Sequence, residues 1–219
     1  MTQEVWVSSV MTEGRVGDKQ GIREKYYGED WAPPTIILGV APNHVRSAMH
    51  RHYDGHALKR EEFTEAMYVF DEKRWARQKD LFMAGPFYAV RGKLAEVLKQ
   101  FDLGAGGLIE FPIYQADKVT PLPGPFYLLN FGCIKDSVVI EQCQQLRHVF
   151  KKEIVGYDKW GGSNLEDGAI AVTAVALEGP DLWMESKLYN KIFMSGRLHD
   201  AILAAKIKVN FKFARARIV

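Results

Sequence analysis

The sequence predicts an α+β protein in which a mixed or antiparallel sheet carries two strand–helix–strand units, preceded by an N-terminal extension containing a longer helix. The first observation is a change of period in residues 187–219. Residues 192–194 are an apolar run, and Leu198, Ala201, Ile202 and Ala205 then recur at helical spacing. After Lys206, Ile207, Val209, Phe211 and Phe213 alternate with Lys208, Asn210 and Lys212, as on a strand. The second observation is an echo: residues 88–99 lie on 192–203 without a gap, placing Gly92 on Gly196, Lys93 on Arg197, Leu94 on Leu198 and Glu96 on Asp200. The third is bulk: 219 residues, 47% hydrophobic and 26% charged, suit one core-bearing unit with two lobes and exclude a disordered chain.

In chain order, Val5, Val7 and Ser9 alternate with Trp6, Ser8 and Val10, an opening strand. Residues 11–34 are broken by Gly14, Gly17, Gly21 and Gly28 and read as an irregular surface segment holding Tyr26, Tyr27 and Trp31. Residues 35–40 follow Pro33-Pro34 as a strand. From 59 to 78, Phe63, Met67, Phe70 and Arg74 recur at helical spacing against acidic and basic neighbours, and predict the longer helix. The upstream strand–helix–strand unit comes next, with Leu94, Val97, Leu98 and Phe101 as its stripe and residues 108–114 as its closing strand. Residues 104–107, Gly-Ala-Gly-Gly, follow a helix and so read as a cap and turn, not a phosphate loop. Residues 126–131 are a buried strand, 137–140 a further short one, 156–168 a loop, and 169–177 a central strand bounded by Gly168 and Gly179. The predicted organisation is an extension at 1–79 and an α+β unit at 80–219, packed as one body.

A formal net charge of +2 gives no global field toward nucleic acid or an anionic membrane. Cys133 and Cys143 are ten residues apart, neither a zinc-knuckle nor a disulfide spacing, and read as reduced thiols. The N-terminus has neither the basic region nor the apolar run of a secretory signal, and no window reaches the ~20 apolar residues of a membrane span. A cytoplasmic location is expected, with no membrane partner.

Four of the six histidines fall at 44, 50, 52 and 56, beside Asp54. Their spacing fits a loop better than a helix, and an enzyme built on 44–56, with or without metal, is one alternative reading. No recognised zinc pattern is present, so no metal ligand and no cofactor are assigned. Ser195 stands between strand and helix as a nucleophile would, but lacks the Gly two residues before it that a tight elbow needs, and helix capping accounts for it. No carboxylate pair is singled out for acid–base work, so no catalytic residue is assigned. Lys206, Lys208, Lys212, Arg215 and Arg217 form the best basic patch, and a nucleic-acid-binding module is a second alternative. Phe211 and Phe213 oppose these cations, so nucleic acid is not the expected partner.

Residues 80–82 (Asp-Leu-Phe), Lys93-Leu94, 126–130 (Phe-Tyr-Leu-Leu-Asn), 181–183 (Asp-Leu-Trp) and 192–195 (Ile-Phe-Met-Ser) with Leu198 occur in an order that resembles a family of bacterial immunity proteins. It is the eleventh immunity family of polymorphic-toxin systems, and the resemblance covers about 80–219. Asp136 and Glu141 partly represent the family's acidic residues after the Leu-Asn strand, with Cys133 and Ser137 among them. The resemblance implies an α+β protein that binds a cognate toxin and blocks it, with no catalytic residues to carry over; homodimerisation is left open. Occlusion needs a few buried anchors inside a water-excluding rim. Tyr26, Tyr27, Trp31, His52, Tyr53 and Trp160, all on segments expected to be irregular, are the candidate anchors.

Overall fold

The computed structural model describes residues 3–12, 20–34 and 42–219; the strand expected at 35–40 lies outside them. Strand β1 (Val5–Ser8) is where the opening alternation put it. The stretch expected to be irregular after it contains β2 (Ile22–Tyr26). The extension's longer helix is α1 (Asn43–Asp54), not residues 59–78. Val45, Ala48 and His52 form its buried stripe at i, i+3 and i+7, while His44, Arg46, Ser47, His50 and Arg51 are exposed. Gly55 ends it in the left-handed region at φ 95°, where its N–H donates to the His52 carbonyl and that of His56 to Arg51.

Residues 59–78 instead hold β3 (Thr64–Val69) and a single-turn helix, α2 (Glu72–Trp75), whose N-cap Asp71 accepts from the Arg74 N–H. Phe63, Met67 and Phe70 do fit a helical period. The intervening Thr64, Tyr68 and Val69 favour a strand, however, and β3 pairs antiparallel with β2 from Ile22↔Val69 to Lys25↔Ala66. Cross-strand pairing decides between the two patterns.

The upstream unit is β4 (Leu81–Ala84), β5 (Phe87–Arg91), α3 (Gly92–Leu98) and β6 (Gly107–Glu110). There follow β7 (Ile113–Tyr114), β8 (Phe126–Asn130), β9 (Ile134–Lys135), β10 (Arg147–Phe150), the single turn α4 (Lys152–Val155), β11 (Lys159–Gly161) and β12 (Ala171–Val172). The closing unit is β13 (Leu182–Glu185), β14 (Ile192–Ser195), α5 (Gly196–Ala204) and β15 (Phe213–Arg215), with β16 (Arg217–Ile218) after it. Four expected strands are split, shortened or lost, the first being 108–114, which is divided between β6 and β7 of different sheets. Residues 137–140 contribute only a bridge, Val138↔Val172, and 169–177 is cut to β12 followed by a 3-10 turn. The alternation at 207–213 becomes a strand only at its end, because Lys206 and Lys212 adopt left-handed φ values of 50° and 49° that no continuous strand contains.

The echo in the sequence is an echo in topology. One sheet has the order β4-β5-β8-β6, and the other contains β13-β14-β1-β15, with β9 added beside β13. Val90 pairs with Leu81 and Tyr127, and Met194, its counterpart, pairs with Leu182 and Trp6. Tyr127 and Trp6 continue to Glu110 and Arg215. Both units thus share strand order, antiparallel sense and register. The fourth strand comes from β8 in one unit and from the chain's opening β1 in the other, so part of the expected extension completes the closing unit.

Each sheet is buried on both faces, which is why its strands read as apolar runs rather than clean alternations. Inward, Val90, Leu129, Met184 and Met194 join Leu94 and Leu98 of α3 and Leu198 and Ile202 of α5 in one cluster. Outward, Phe82, Phe87 and Leu128 pack on Val45, Phe63 and Met67, while Val7, Trp183 and Phe193 pack on Val138, Ile170 and Val172. Asp80 and Asp181 occupy matching places at the two helix starts. Asp80 receives the Leu94 N–H at 3.3 Å, and its carbonyl accepts from Arg91 N–H. The Asp181 carbonyl accepts from Ser195 N–H, and its carboxylate receives Ser195 Oγ, Arg197 Nε and Arg197 Nη2, each at 2.6 Å, and Asp102 N–H at 3.1 Å. Ser195 Oγ in turn accepts from Leu198 N–H, the capping role expected of it.

Candidate functional site

A two-stranded hairpin, β10–α4–β11, stands apart from the layered sheets. The sequence builds it locally: Arg147↔Gly161 and His148↔Trp160 pair across it, and a bulge follows before Phe150↔Lys159. Asp158 fastens the tip, accepting from Lys152 N–H at 3.0 Å and meeting His148 Nε2 at 2.7 Å. The Lys152 amide, with His148 beside it, holds the Asp158 carboxyl below the usual carboxylate range. The His148 ring stacks on Trp160 at 4.6 Å and 1°. The base is fixed to the body because Trp160 N–H donates to the Lys187 carbonyl and Tyr189 N–H to that of Trp160, beside the buried Leu188.

Apolar surface collects on this hairpin. Val149, Tyr157 and Tyr189 are exposed, and Ile154 is 79% exposed. Phe150 joins them, its ring 5.7 Å from Tyr157 and 5.0 Å from Tyr189. Scattered apolar residues on a surface need no explanation, but several exposed ones concentrated on and beside one braced element make it the candidate interaction surface. Helix α1 adjoins it: Lys159 Nζ reaches Asp54 Oδ1 at 2.8 Å, and Tyr53 lies beside Tyr189. Burial, with Tyr189 close by, pushes the Tyr53 hydroxyl up to about 12 while it donates to the Pro86 carbonyl.

The six expected anchors separate into three places, and four of them stand on regular elements rather than irregular ones. Tyr53, on α1, and Trp160, on β11, are half-buried and border the hairpin surface. His52 is fully buried among Phe63, Phe87, Tyr88 and Phe131, its Nε2 accepting from Tyr88 N–H at 3.4 Å, so it is a core residue and not an anchor. Burial pushes its imidazole down to about 3. Tyr26, 8% exposed on β2, is likewise core, its hydroxyl pushed up by burial and Glu24. Trp31 pins the segment after β2, meeting Tyr68 at 5.3 Å and Tyr114 at 6.0 Å edge-on. Tyr27 remains exposed, under the Arg60 guanidinium at 5.3 Å.

Sequence reasoning missed Val149, Phe150, Ile154, Tyr157 and Tyr189. A signal existed: Arg147-His-Val-Phe150 and Lys159-Trp-Gly161 are short β-forming runs on either side of a Gly156 turn, which is a hairpin pattern. The histidine segment is a helix and not a loop, and it disperses its imidazoles: His44, His50 and His56 are exposed while His52 is buried. Among the described residues no group of three or more His, Cys, Asp or Glu is placed to hold a metal ion, and no helix is long and apolar enough to cross a membrane.

A cavity of about 390 Å³ opens at the start of α5, lined by Glu4, Trp183, Ser195, Arg197 and Asp200 among others. Its charges are satisfied by protein. Glu4 meets Trp6 and Arg215, Asp200 meets His199, and Ser195 and Arg197 meet Asp181. No protein-family model matches the chain, and no curated protein matches it.

Proposed function

We propose that this protein is a stoichiometric inhibitor: an immunity protein that binds a cognate bacterial toxin in the cytoplasm and blocks it by occlusion. The observation that carries the reading is the braced hairpin with its exposed group of Val149, Ile154, Tyr157 and Tyr189. Rigid, amphipathic Tyr side chains give large contact area at low entropic cost, which suits a surface that must hold a partner rather than turn over a substrate. The ordered motifs from Asp80 to Leu198 support the same reading through their resemblance to the eleventh immunity family, and they sit on the duplicated scaffold, where a family signature would be structural. The polar constellation that most resembles an active centre, Asp181–Ser195–Arg197, is used up in capping α5 and tying β13 to β14. A toxin-domain gene adjoining this one is expected, and co-expression with that gene is the test of the proposal. Growth of a sensitive host is restored, and the two chains elute as a stoichiometric complex. Rescue without a complex, or a complex without rescue, refutes it.

A further inference from the structure

We infer that the β10–α4–β11 hairpin seats in an acid-rimmed apolar cleft on the surface of a protein partner. This deepens the reading above and rests on its premise that the protein acts by binding another protein. Two features of the hairpin specify the cleft. The apolar one is the exposed Val149, Ile154 and Tyr157 with the neighbouring Tyr189, the two tyrosines packed on Phe150, which demand an apolar floor.

The second feature is charge. Residues 147–161 carry four cations, Arg147, Lys151, Lys152 and Lys159, against Glu153 and Asp158, a formal +2 that equals the net charge of the whole chain. The carboxylates on and around the hairpin are mostly consumed within the molecule. Asp158 is held by His148 and Lys152 N–H, Asp54 by Lys159, and Asp136 by Lys187 and Ser186. The exposed Arg147, Lys151 and Lys152 side chains lie on the same hairpin as the apolar residues; Lys152 shares its charge with Asp158, while Arg147 and Lys151 make no ion pair among the described residues. A partner that meets this face without carboxylates would desolvate Arg147 and Lys151 uncompensated and Lys152 only partly compensated.

The geometry favours protein over the other polyanions. Base stacking requires open ring faces, whereas Phe150 meets Tyr157 and Tyr189 at 53° and 82°, and one face of Trp160 is taken by His148. Insertion into a lipid interface would carry Glu153 and Asp158 of the tip into the headgroup boundary along with Ile154. The bracing by Asp158 and Trp160 presents the surface pre-formed, which lowers the ordering cost of docking.

The test uses the full chain with a photo-crosslinking residue at Ile154 (Ile154→p-benzoylphenylalanine), irradiated in cells that carry the gene. The result expected is one protein adduct whose crosslinked peptide is net acidic. The adduct is lost in Arg147→Glu/Lys151→Glu/Lys152→Glu, and the affinity of the purified partner falls about 30-fold or more in Ile154→Ser/Tyr157→Ser. All five positions are exposed, so unchanged thermal unfolding separates loss of binding from loss of fold. Purified protein is also mixed with phosphatidylcholine–phosphatidylserine vesicles and with a single-stranded oligonucleotide. Variant-sensitive binding to either, no adduct, or a partner indifferent to both variants overturns the inference. A toxin bound through another face would leave the proposed function standing and remove this inference. An acidic, non-toxic partner held by the hairpin would do the reverse.

Discussion

Asp181→Ala should be a costly single change in the closing unit. The side chain is 2% exposed and its carboxylate collects bonds from Ser195 Oγ, the Asp102 N–H and both Arg197 nitrogens, so it joins β13 to the start of α5 and to the loop after α3. Arg197 is 67% exposed and returns to water when the carboxylate goes, so its share is discounted to about 0–1 kcal/mol. The Asp102 N–H and the Ser195 hydroxyl, in part-buried bonds, each lose a charged acceptor, at roughly 1–2 kcal/mol apiece. The total is about 3 kcal/mol, which at ~2–4 °C per kcal/mol for a chain of this size lowers Tm by about 6–12 °C. The matched residue, Asp80, gives α3 a single 3.3 Å capping bond, so Asp80→Ala should cost only about 1 kcal/mol.

The same pair supplies a pH test. Burial alone would raise the Asp181 carboxyl, but hydrogen bonds from Arg197, Ser195 and Asp102 outweigh it and hold the group below the ordinary carboxylate range. A folded pKa below the unfolded value means that this stabilisation is complete above about pH 4 and lost as pH falls through the folded pKa. The gap between wild type and Asp181→Ala in thermal unfolding, read by circular dichroism, should therefore narrow below pH 4. An Asp181→Ala shift under about 2 °C at pH 7, or one no larger than that of Asp80→Ala, would refute the reasoning.

Two further outcomes follow from buried titrating groups. His52 is lowered to about 3 by burial, so the unfolded chain binds its proton first and stability falls as pH drops from about 6.5 toward 3, by up to ~1.4 kcal/mol per unit; His52→Leu should flatten that slope in unfolding measured at pH 7 and pH 5. Lys191 is fully buried, its Nζ only 3.5 Å from the Asn190 carbonyl, and burial followed by the nearby Lys212 lowers it to about 8. Its cost is complete below pH 8 and relieved as pH rises to the unfolded value near 10.4, so Lys191→Met should raise Tm by several degrees at pH 7 and by little at pH 10.

The duplicated units were legible because each turns from an apolar run to a helical stripe at a glycine, and no distant residue is needed to see it. Gly92 and Gly196 stand at the first helical position in both. What sequence could not show is which distant strand completes each sheet, since β8 and β1 enter through pairing across the fold. Elements decided by such pairing were misread. Residues 64–69 carry both periods, and pairing with β2 and β7 selects the strand. Residues 207–213 alternate faithfully, yet left-handed Lys206 precedes them and left-handed Lys212 interrupts them, and nothing in side-chain polarity reports a backbone angle. Helix α1 was hidden differently. Its imidazoles drew attention to ligand spacing, while the stripe of Val45, Ala48 and His52 that fixes the element was in plain view.

The candidate anchors failed where they did for a related reason. Large aromatics are enriched both in cores and in interfaces, so residue type alone cannot assign Tyr26 or His52 to either. What separates the two roles is whether the fold spends the side chain. His52 is enclosed by rings, and Trp31 pins its own segment against Tyr68 and Tyr114. Asp181, Ser195 and Arg197 satisfy one another. By contrast, Ile154 is exposed on the braced hairpin, Arg147 and Lys151 make no ion pair among the described residues, and Tyr157 and the neighbouring Tyr189, though packed on Phe150, remain open to solvent. Stability does not require that arrangement, because a polar tip on the same Asp158-fastened turn would be as well braced. A surface that is apolar and cationic without serving the fold is the ground on which the proposed partner rests.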